Sequence, residues 1–179
     1  HMNTALQKRF WTDVTVKQED FGYGIYLDGK QLKTPLKASL LAPTKAVADG
    51  IAAEWDAVQE KINPLGMHLT RCANATIDKV VVDKAAVAAL LAEYGGTDLL
   101  CYRADSPVEL VSRQDAAWDP LLDWINAKHG VRLVSTTGVM HVTQPEDGQK
   151  RLRELTHAFD PWRLTALHDL VAISGSLIL

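Results

Sequence analysis

The pair Asp28-Gly29 lies between two short runs in which apolar and polar residues alternate. Both central positions of the tightest hairpin turn need a positive φ, which aspartate and glycine tolerate. The pair therefore predicts a β-hairpin in which Ile25 faces Leu32 across the two strands. Because an isolated hairpin is only marginally stable in water, we expect a further strand or a helix to cover its apolar face.

Downstream of this hairpin, apolar residues recur at intervals of three and four, which is helical spacing. Thr44 can cap a first helix that carries Val47, Ile51 and Trp55 on one face. From residue 69 the same spacing continues almost to the end of the chain. The pattern predicts an α+β fold: a β-rich N-terminal domain with a hairpin and one helix over residues 3–68, followed by a mainly α-helical C-terminal domain over residues 69–179.

Two features of the helical part bear on its boundaries. Pro120 removes one helical hydrogen bond, so we expect a kink there or a second helix that begins with Asp119 as its cap. The last helix begins at Asp160-Pro161, and the sequence ends at Leu179 within an apolar run. An apolar helix that stops there leaves its apolar face exposed and its last carbonyls without hydrogen-bond partners. We therefore expect the C-terminal domain to be truncated and the natural protein to continue with further helix.

Composition excludes several classes of protein. The chain has 179 residues, 47% of them hydrophobic and 23% charged, with a formal net charge of −3. This balance is typical of a globular protein, and no apolar run approaches the roughly 20 residues that a membrane span needs. We expect no membrane insertion and no nucleic-acid partner. The lowest-ranked alternative is a nucleic-acid adaptor whose basic hairpin carries Lys17, Lys30, Lys33 and Lys37.

The sequence contains none of the common catalytic motifs. GxxxxGK[ST], HExxH, CxxC and GxSxG are all missing from it, and the six histidines are scattered. We therefore predict no catalytic, cofactor or metal site. The main alternative is a small hydrolase or transferase with a site between the C-terminal helices, built from Asp98, Arg103, His168 and Asp169.

Charged residues lie in two strongly apolar parts of the helical region. The first group is Thr70-Arg71 with Asn74 and Asp78, and the second runs from Gly96 to Arg103. A charge flanked by so many apolar residues must be paired or exposed, because burying it alone costs several kcal/mol. We expect arginines and carboxylates to bind one another and to cap helices, which fixes how the helices cross.

Several of these strings together resemble one family. The resemblance covers the chain from about residue 9 to its end, and its most specific piece is the string from Gly96 to Arg103. The strings are Arg9-Phe10-Trp11, Leu27-Asp28-Gly29, Lys33-Thr34-Pro35, Glu54-Trp55, Thr70-Arg71 with Asn74 and Ile77-Asp78, Gly96-Thr97-Asp98-Leu99-Leu100-Cys101-Tyr102-Arg103, Trp118-Asp119-Pro120-Leu121, and His168-Asp169-Leu170 before Ser174-Gly175-Ser176. This set resembles the F-type ATP synthase assembly chaperone family that binds the α subunit of the soluble catalytic head.

The resemblance implies a non-enzymatic, ATP-independent chaperone. It would bind the free α subunit of F-type ATP synthase and prevent its aggregation until it pairs with the β subunit. We expect the protein to be monomeric when free and to lie in the bacterial cytoplasm, or in the mitochondrial matrix if it is eukaryotic. The resemblance also implies a contact surface on the C-terminal helical domain, for which the candidate residues are Asp98, Arg103, Trp118, Arg163, His168 and Asp169.

Overall fold

A computed structural model describes residues 6–179 and confirms the predicted α+β fold class. The strands are β1 (Val14–Glu19), β2 (Gly22–Leu27), β3 (Lys30–Gln31), β4 (Leu41–Ala42), β5 (Tyr102–Arg103) and β6 (Thr136–Thr137). The helices are α1 (Lys45–Asp56), α2 (His68–Ala75), α3 (Lys84–Ala92), α4 (Val108–His129), α5 (Glu146–His157) and α6 (Pro161–Ser174). The chain divides into two units, of which the first ends at Val82 and the second is Asp83–Leu179.

The first unit contains the predicted hairpin. Asp28 and Gly29 have φ values of 49° and 79°, and the amide of Leu32 donates to the carbonyl of Ile25 over 2.8 Å. Strand β2 pairs antiparallel with β1, β3 and β4, and α1 contacts β1 and β2. The hairpin therefore gains both the additional strand and the covering helix that its marginal stability requires.

Arg9 joins the N-terminal segment to the end of α1. Its guanidinium donates to the carbonyls of Asp56, the last residue of α1, and of Val58 just past it, and to those of Trp11 and Thr12 in its own segment. The last carbonyls of a helix have no partner within the helix, so an arginine at this end satisfies them and complements the helix dipole.

Carboxylates connect the remaining elements of the first unit. Glu54 accepts hydrogen bonds from the amides of Leu69 and Thr70 over 2.9 and 2.8 Å, which caps the start of α2. Asp78 accepts from the hydroxyl of Thr34 over 2.7 Å and from the amide of Leu36 over 3.2 Å. Asp78 is therefore partnered by a hydroxyl and an amide, whereas Arg71 is exposed and lies 3.3 Å from the His68 ring, so the predicted arginine–carboxylate pairing does not form in this group.

The predicted domain boundary between residues 68 and 69 differs from the division of the structure. Helix α2 continues into the wider turn Thr76–Val80, and this whole segment belongs to the unit that ends at Val82. Residues 3–5 of the predicted N-terminal domain lie outside the described residues. That residues 3–68 and 69–179 are two domains stays a prediction.

The second unit is built around a core to which α4, α5 and the C-terminal residues contribute. Its buried members are Leu100, Ile125, Val131, Leu152 and Ile178. Helix α3 contacts both α5 and α6, and α6 begins as predicted, with Asp160 accepting from the amides of Trp162 and Arg163. Within residues 6–179, no helix combines the length and the apolar character needed to cross a membrane.

Of the two alternatives expected at Pro120, a kink or a second helix capped by Asp119, the second is wrong. The helix runs without interruption from Val108 to His129 and contains Pro120. Asp119 instead binds Arg103 over 2.9 Å. Tertiary contacts of the flanking turns compensate for the one hydrogen bond that a proline removes.

We predict that Arg9→Lys lowers the free energy of unfolding by about 2 kcal/mol, because one ammonium group cannot donate to four carbonyls that the guanidinium reaches. Urea denaturation at pH 7 measures the change. Lys8→Ala is the matched control, since Lys8 is exposed, and it should change the value by less than about 0.5 kcal/mol. Equal stabilities of the two variants would contradict the role of Arg9.

Candidate functional site

Asp98 is a fully buried carboxylate that holds together two distant parts of the second unit. It caps the short 3₁₀ turn Leu99–Cys101 by accepting from the amide of Leu100 over 3.0 Å. It also accepts from the hydroxyl of Ser176 over 2.7 Å and from the amides of Leu177 and Ile178 over 2.8 and 3.3 Å. Asp98 is therefore an internal anchor for the C-terminal residues and is not part of the surface.

Arg103 is also internal, with only 6% of its side chain exposed. Its guanidinium bonds to Asp119 over 2.9 Å and to Asp115 over 3.2 Å, and it lies 5.4 Å from the ring centre of Trp118. It also donates to the carbonyl of Leu100 over 2.6 Å. These contacts confirm the predicted arginine–carboxylate pairing and fix α4 against the segment that contains Asp98.

Cys101 lies between these two charged residues and is buried. Burial, with a further contribution from the Asp98 carboxylate, raises the pKa of the Cys101 thiol to about 11, against the opposing effects of Arg103 and a hydrogen bond to Gln144. The thiolate is the reactive form of cysteine, so this side chain behaves as an inert, apolar part of the core.

The other three predicted residues lie on α6 at the surface. Arg163 pairs with Asp160 over 3.4 Å, and His168 lies 3.3 Å from Asp169. Exposed polar contacts of this kind contribute little to stability, and all three side chains are accessible at the surface of the second unit. Of the six candidates, the structure thus brings Asp98, Arg103 and Trp118 into the interior network and leaves the α6 residues outside it.

Helix α6 carries an exposed apolar stripe in addition to its buried apolar residues Leu164 and Val171. Ala166, Leu170 and Ile173 follow one another at spacings of four and three, and Leu170 and Ile173 are 60% and 86% exposed. We call these three residues the outer α6 stripe. Arg163 and Asp169 lie on the same side of the helix. The signal was present in the sequence, because an amphipathic helix has one apolar face and α6 is apolar on two.

Two apolar grooves open on the surface of the second unit, each with a volume of about 210 Å³. The α3–α6 groove is lined by Val87, Leu90, Leu91, Tyr94, His168, Val171 and Ala172. The α4–α5 groove is lined by Trp124, Ile125, His129, Leu152, Leu155, Thr156, Phe159, Leu167, Leu177 and Ile178. Trp124 is 44% exposed and lines the second groove.

The alternative of a hydrolase or transferase required Asp98, Arg103 and His168 to converge on one deep pocket. Asp98 and Arg103 line neither groove, and His168 lies among apolar side chains in the α3–α6 groove. Among the described residues, no group of three histidine, cysteine or acidic side chains is placed to hold a metal ion. The geometry gives no support to this alternative.

Comparison with known proteins identifies close relatives. The family model described as ATP12 chaperone protein matches residues 8–126. The crystal structure of Atp12 from Paracoccus denitrificans and that of its D202K mutant each superpose with a TM-score of 0.90 at 49% identity, covering 96% of this chain and 73% of theirs. The mitochondrial protein atp12 of Schizosaccharomyces pombe is 26% identical over 183 residues, covering 96% of this chain. This chain spans 63% of the length of that yeast relative.

We predict that Asp115 and Asp119 stabilise the fold in a strongly non-additive way. Either Asp→Asn substitution alone leaves Arg103 one carboxylate and should lower the free energy of unfolding by less than about 1 kcal/mol. The double substitution leaves a buried guanidinium without an ionic partner and should lower it by about 3 kcal/mol. Urea denaturation measures both, with Asp123→Asn on the exposed side of α4 as the control. Additive effects would show that the two carboxylates act independently.

We predict that Cys101 resists thiol reagents in the folded protein. In a Cys72→Ser background, 5,5′-dithiobis(2-nitrobenzoate) at pH 8 should react with Cys101 at least about 100-fold more slowly than with the urea-unfolded chain, because a pKa of about 11 leaves very little thiolate. Because folding raises the pKa of this thiol, its contribution to the free energy of unfolding is complete below pH 9 and is lost as the pH rises towards 11. Rapid labelling of the folded protein would contradict the assignment.

Proposed function

Because this chain belongs to the ATP12 chaperone family, we propose that it is an ATP-independent assembly chaperone that binds the free α subunit of F-type ATP synthase. It prevents aggregation of that subunit until the β subunit replaces it. The observation that carries the proposal is the family match over residues 8–126, and the similarity to the solved Atp12 of Paracoccus denitrificans supports it.

The physical task of such a chaperone is to cover an apolar surface temporarily. Subunits of a permanent complex meet through large apolar interfaces, and each interface promotes aggregation while its partner is absent. A binding protein that covers this surface needs complementary apolar area and a rate of release that allows exchange. Neither requirement involves making or breaking a covalent bond.

The outer α6 stripe is our proposed contact with the α subunit. Leu170 and Ile173 offer exposed apolar area at helical spacing, which is the arrangement that an amphipathic helix uses to bind an apolar groove. Arg163 and Asp169 flank this area and provide polar contacts at its rim, whereas His168 faces the α3–α6 groove and would contact the subunit only if that groove is also covered. In this proposal Asp98, Arg103 and Trp118 contribute indirectly, because they hold the helices of the second unit in place.

Similar proteins come from both a bacterium and a mitochondrion. We propose a bacterial cytoplasmic protein, with the mitochondrial matrix as the location of a eukaryotic counterpart. We also propose that it is monomeric when free, since the outer α6 stripe presents only two large apolar side chains, far less than the area of a stable homodimer.

We predict that co-expression with the isolated α subunit keeps that subunit soluble, and that Leu170→Lys/Ile173→Lys removes this effect. The fraction of α subunit in the soluble lysate measures it, and at least a fivefold drop is expected for the double variant. Because both side chains are exposed, the variant should retain the unfolding midpoint of the parent within a few degrees.

Phe21→Lys is the matched control, since Phe21 is 90% exposed and lies in the turn between β1 and β2 of the first unit. It should protect the α subunit as well as the parent does. A soluble fraction that is equally low with and without the parent chain would overturn the proposed function. Full protection by the double variant would instead show that the contact lies elsewhere on the protein.

A further inference from the structure

The segment that joins β3 to β4 in the first unit is a tight hairpin with an exposed leucine at its tip. The amide of Thr34 donates to the carbonyl of Ala38 over 2.8 Å, and the amide of Lys37 donates to the carbonyl of Thr34 over 2.9 Å. Lys37 has a φ of +70°, a left-handed conformation that usually requires glycine at the last position of a three-residue hairpin loop. Leu36, within this loop, is 71% exposed.

Asp78 holds this loop in place. Its carboxylate accepts from the hydroxyl of Thr34 over 2.7 Å and from the amide of Leu36 over 3.2 Å. The hydroxyl oxygen of Thr34, a residue that is only 2% exposed, also accepts from the amide of Ala38 over 3.1 Å. The backbone around Leu36 is therefore fixed while its side chain stays exposed. A side chain presented by a fixed loop requires little additional ordering of the chain when it binds a partner.

Two further exposed apolar side chains follow Asp78. Val81 and Val82 lie three and four residues beyond it, a spacing that places residues on the same side of a helical turn. They are 55% and 77% exposed. Single exposed apolar residues are normal on a protein surface, whereas a group of them indicates an interaction site. We call Leu36, Val81 and Val82 the hairpin-tip patch.

The exposed charges on the two segments that form the hairpin-tip patch are positive. Lys33, Lys37 and Lys79 are all exposed, and the acidic residue of segments 33–39 and 76–82 is Asp78, whose carboxylate binds the loop. An apolar centre with a basic rim is complementary to a protein surface on which carboxylates surround an apolar pocket. A nucleic acid would pair with the lysines but would leave the apolar side chains without an apolar partner.

We propose that the hairpin-tip patch is a second contact with the protein client, in which Leu36 enters an apolar pocket of the client and the three lysines meet carboxylates at the rim of that pocket. This inference rests on the proposed function, which makes the α subunit the client. It adds a contact carried by the first unit to the outer α6 stripe of the second.

The test measures binding of the isolated α subunit to the immobilised full chain. Leu36→Ser should raise Kd at least about tenfold, mainly through faster dissociation, because the variant loses the burial of one large apolar side chain. Lys33→Gln/Lys37→Gln should slow association about fivefold at low salt. This difference should shrink at high salt, because salt screens the attraction between exposed charges.

Matched controls come from the same unit. Leu65→Ser replaces a leucine that is 75% exposed before α2, at the opposite end of that helix from Asp78, and Lys30→Gln/Lys61→Gln replaces two other exposed lysines. Both controls should bind the α subunit as the parent does. All these variants change exposed side chains, so their unfolding midpoints should stay within a few degrees of the parent's.

Lys37→Gly separates the conformation of the loop from its charge. Glycine adopts a positive φ without steric cost, so the unfolding midpoint should stay at or above that of the parent. The loss of one lysine should still slow association with the α subunit at low salt. Slower association without loss of stability is a result that a purely structural role of Lys37 does not produce.

The outcomes that contradict this inference differ from those that contradict the proposed function. Absence of α-subunit binding by the parent would overturn the proposed function and this inference with it. Equal affinities of the parent and Leu36→Ser, or equal losses in Leu36→Ser and Leu65→Ser, would overturn this inference alone. Lysine variants whose only defect is weaker binding of a single-stranded oligonucleotide would also overturn it, because the patch would then be a nucleic-acid surface.

Discussion

The second unit depends on the constraint that a charge removed from water must have partners. Asp98 has no exposure and meets this constraint with one hydroxyl and three amides, two of which come from residues at the far end of the chain. Arg103 meets it with two carboxylates of α4. Because either residue would be strongly destabilising if a partner were lost, the arrangement of α4, α6 and the C-terminal residues follows from these contacts.

How much of this could be predicted from the sequence depends on the distance along the chain between interacting residues. The Asp28-Gly29 turn and the caps at Thr44 and Asp160 were predicted correctly, because each depends on residues within a few positions. The need for Asp98 to be paired was also predictable. Its partner Ser176, 78 residues away, was not, because a single sequence carries no signal that joins two such positions.

The wrong alternative at Pro120, a second helix capped by Asp119, has the same origin. Local rules assign Asp119 to a helix cap, yet in the structure its carboxylate binds Arg103 and the helix continues past the proline. A proline inside a helix costs about 3 kcal/mol in helix propensity relative to alanine, and tertiary contacts outweigh this cost. The outer α6 stripe shows a different limit: its residues were recognised as apolar, but a helix with two apolar sides does not reveal which side faces the core.

Two of the uncovered apolar surfaces of the second unit, the α4–α5 groove and the outer α6 stripe, differ in the kind of contact they suit. The α4–α5 groove is concave and is already entered by Leu177 and Ile178, residues that the same chain holds through Asp98. Residues of the same chain have a high effective concentration, so the part of the groove that Leu177 and Ile178 enter is occupied continuously. The outer α6 stripe is convex, has polar rim residues and includes only two large apolar side chains. Such a surface contributes modest binding energy, which suits a partner that must later be released to its permanent neighbour.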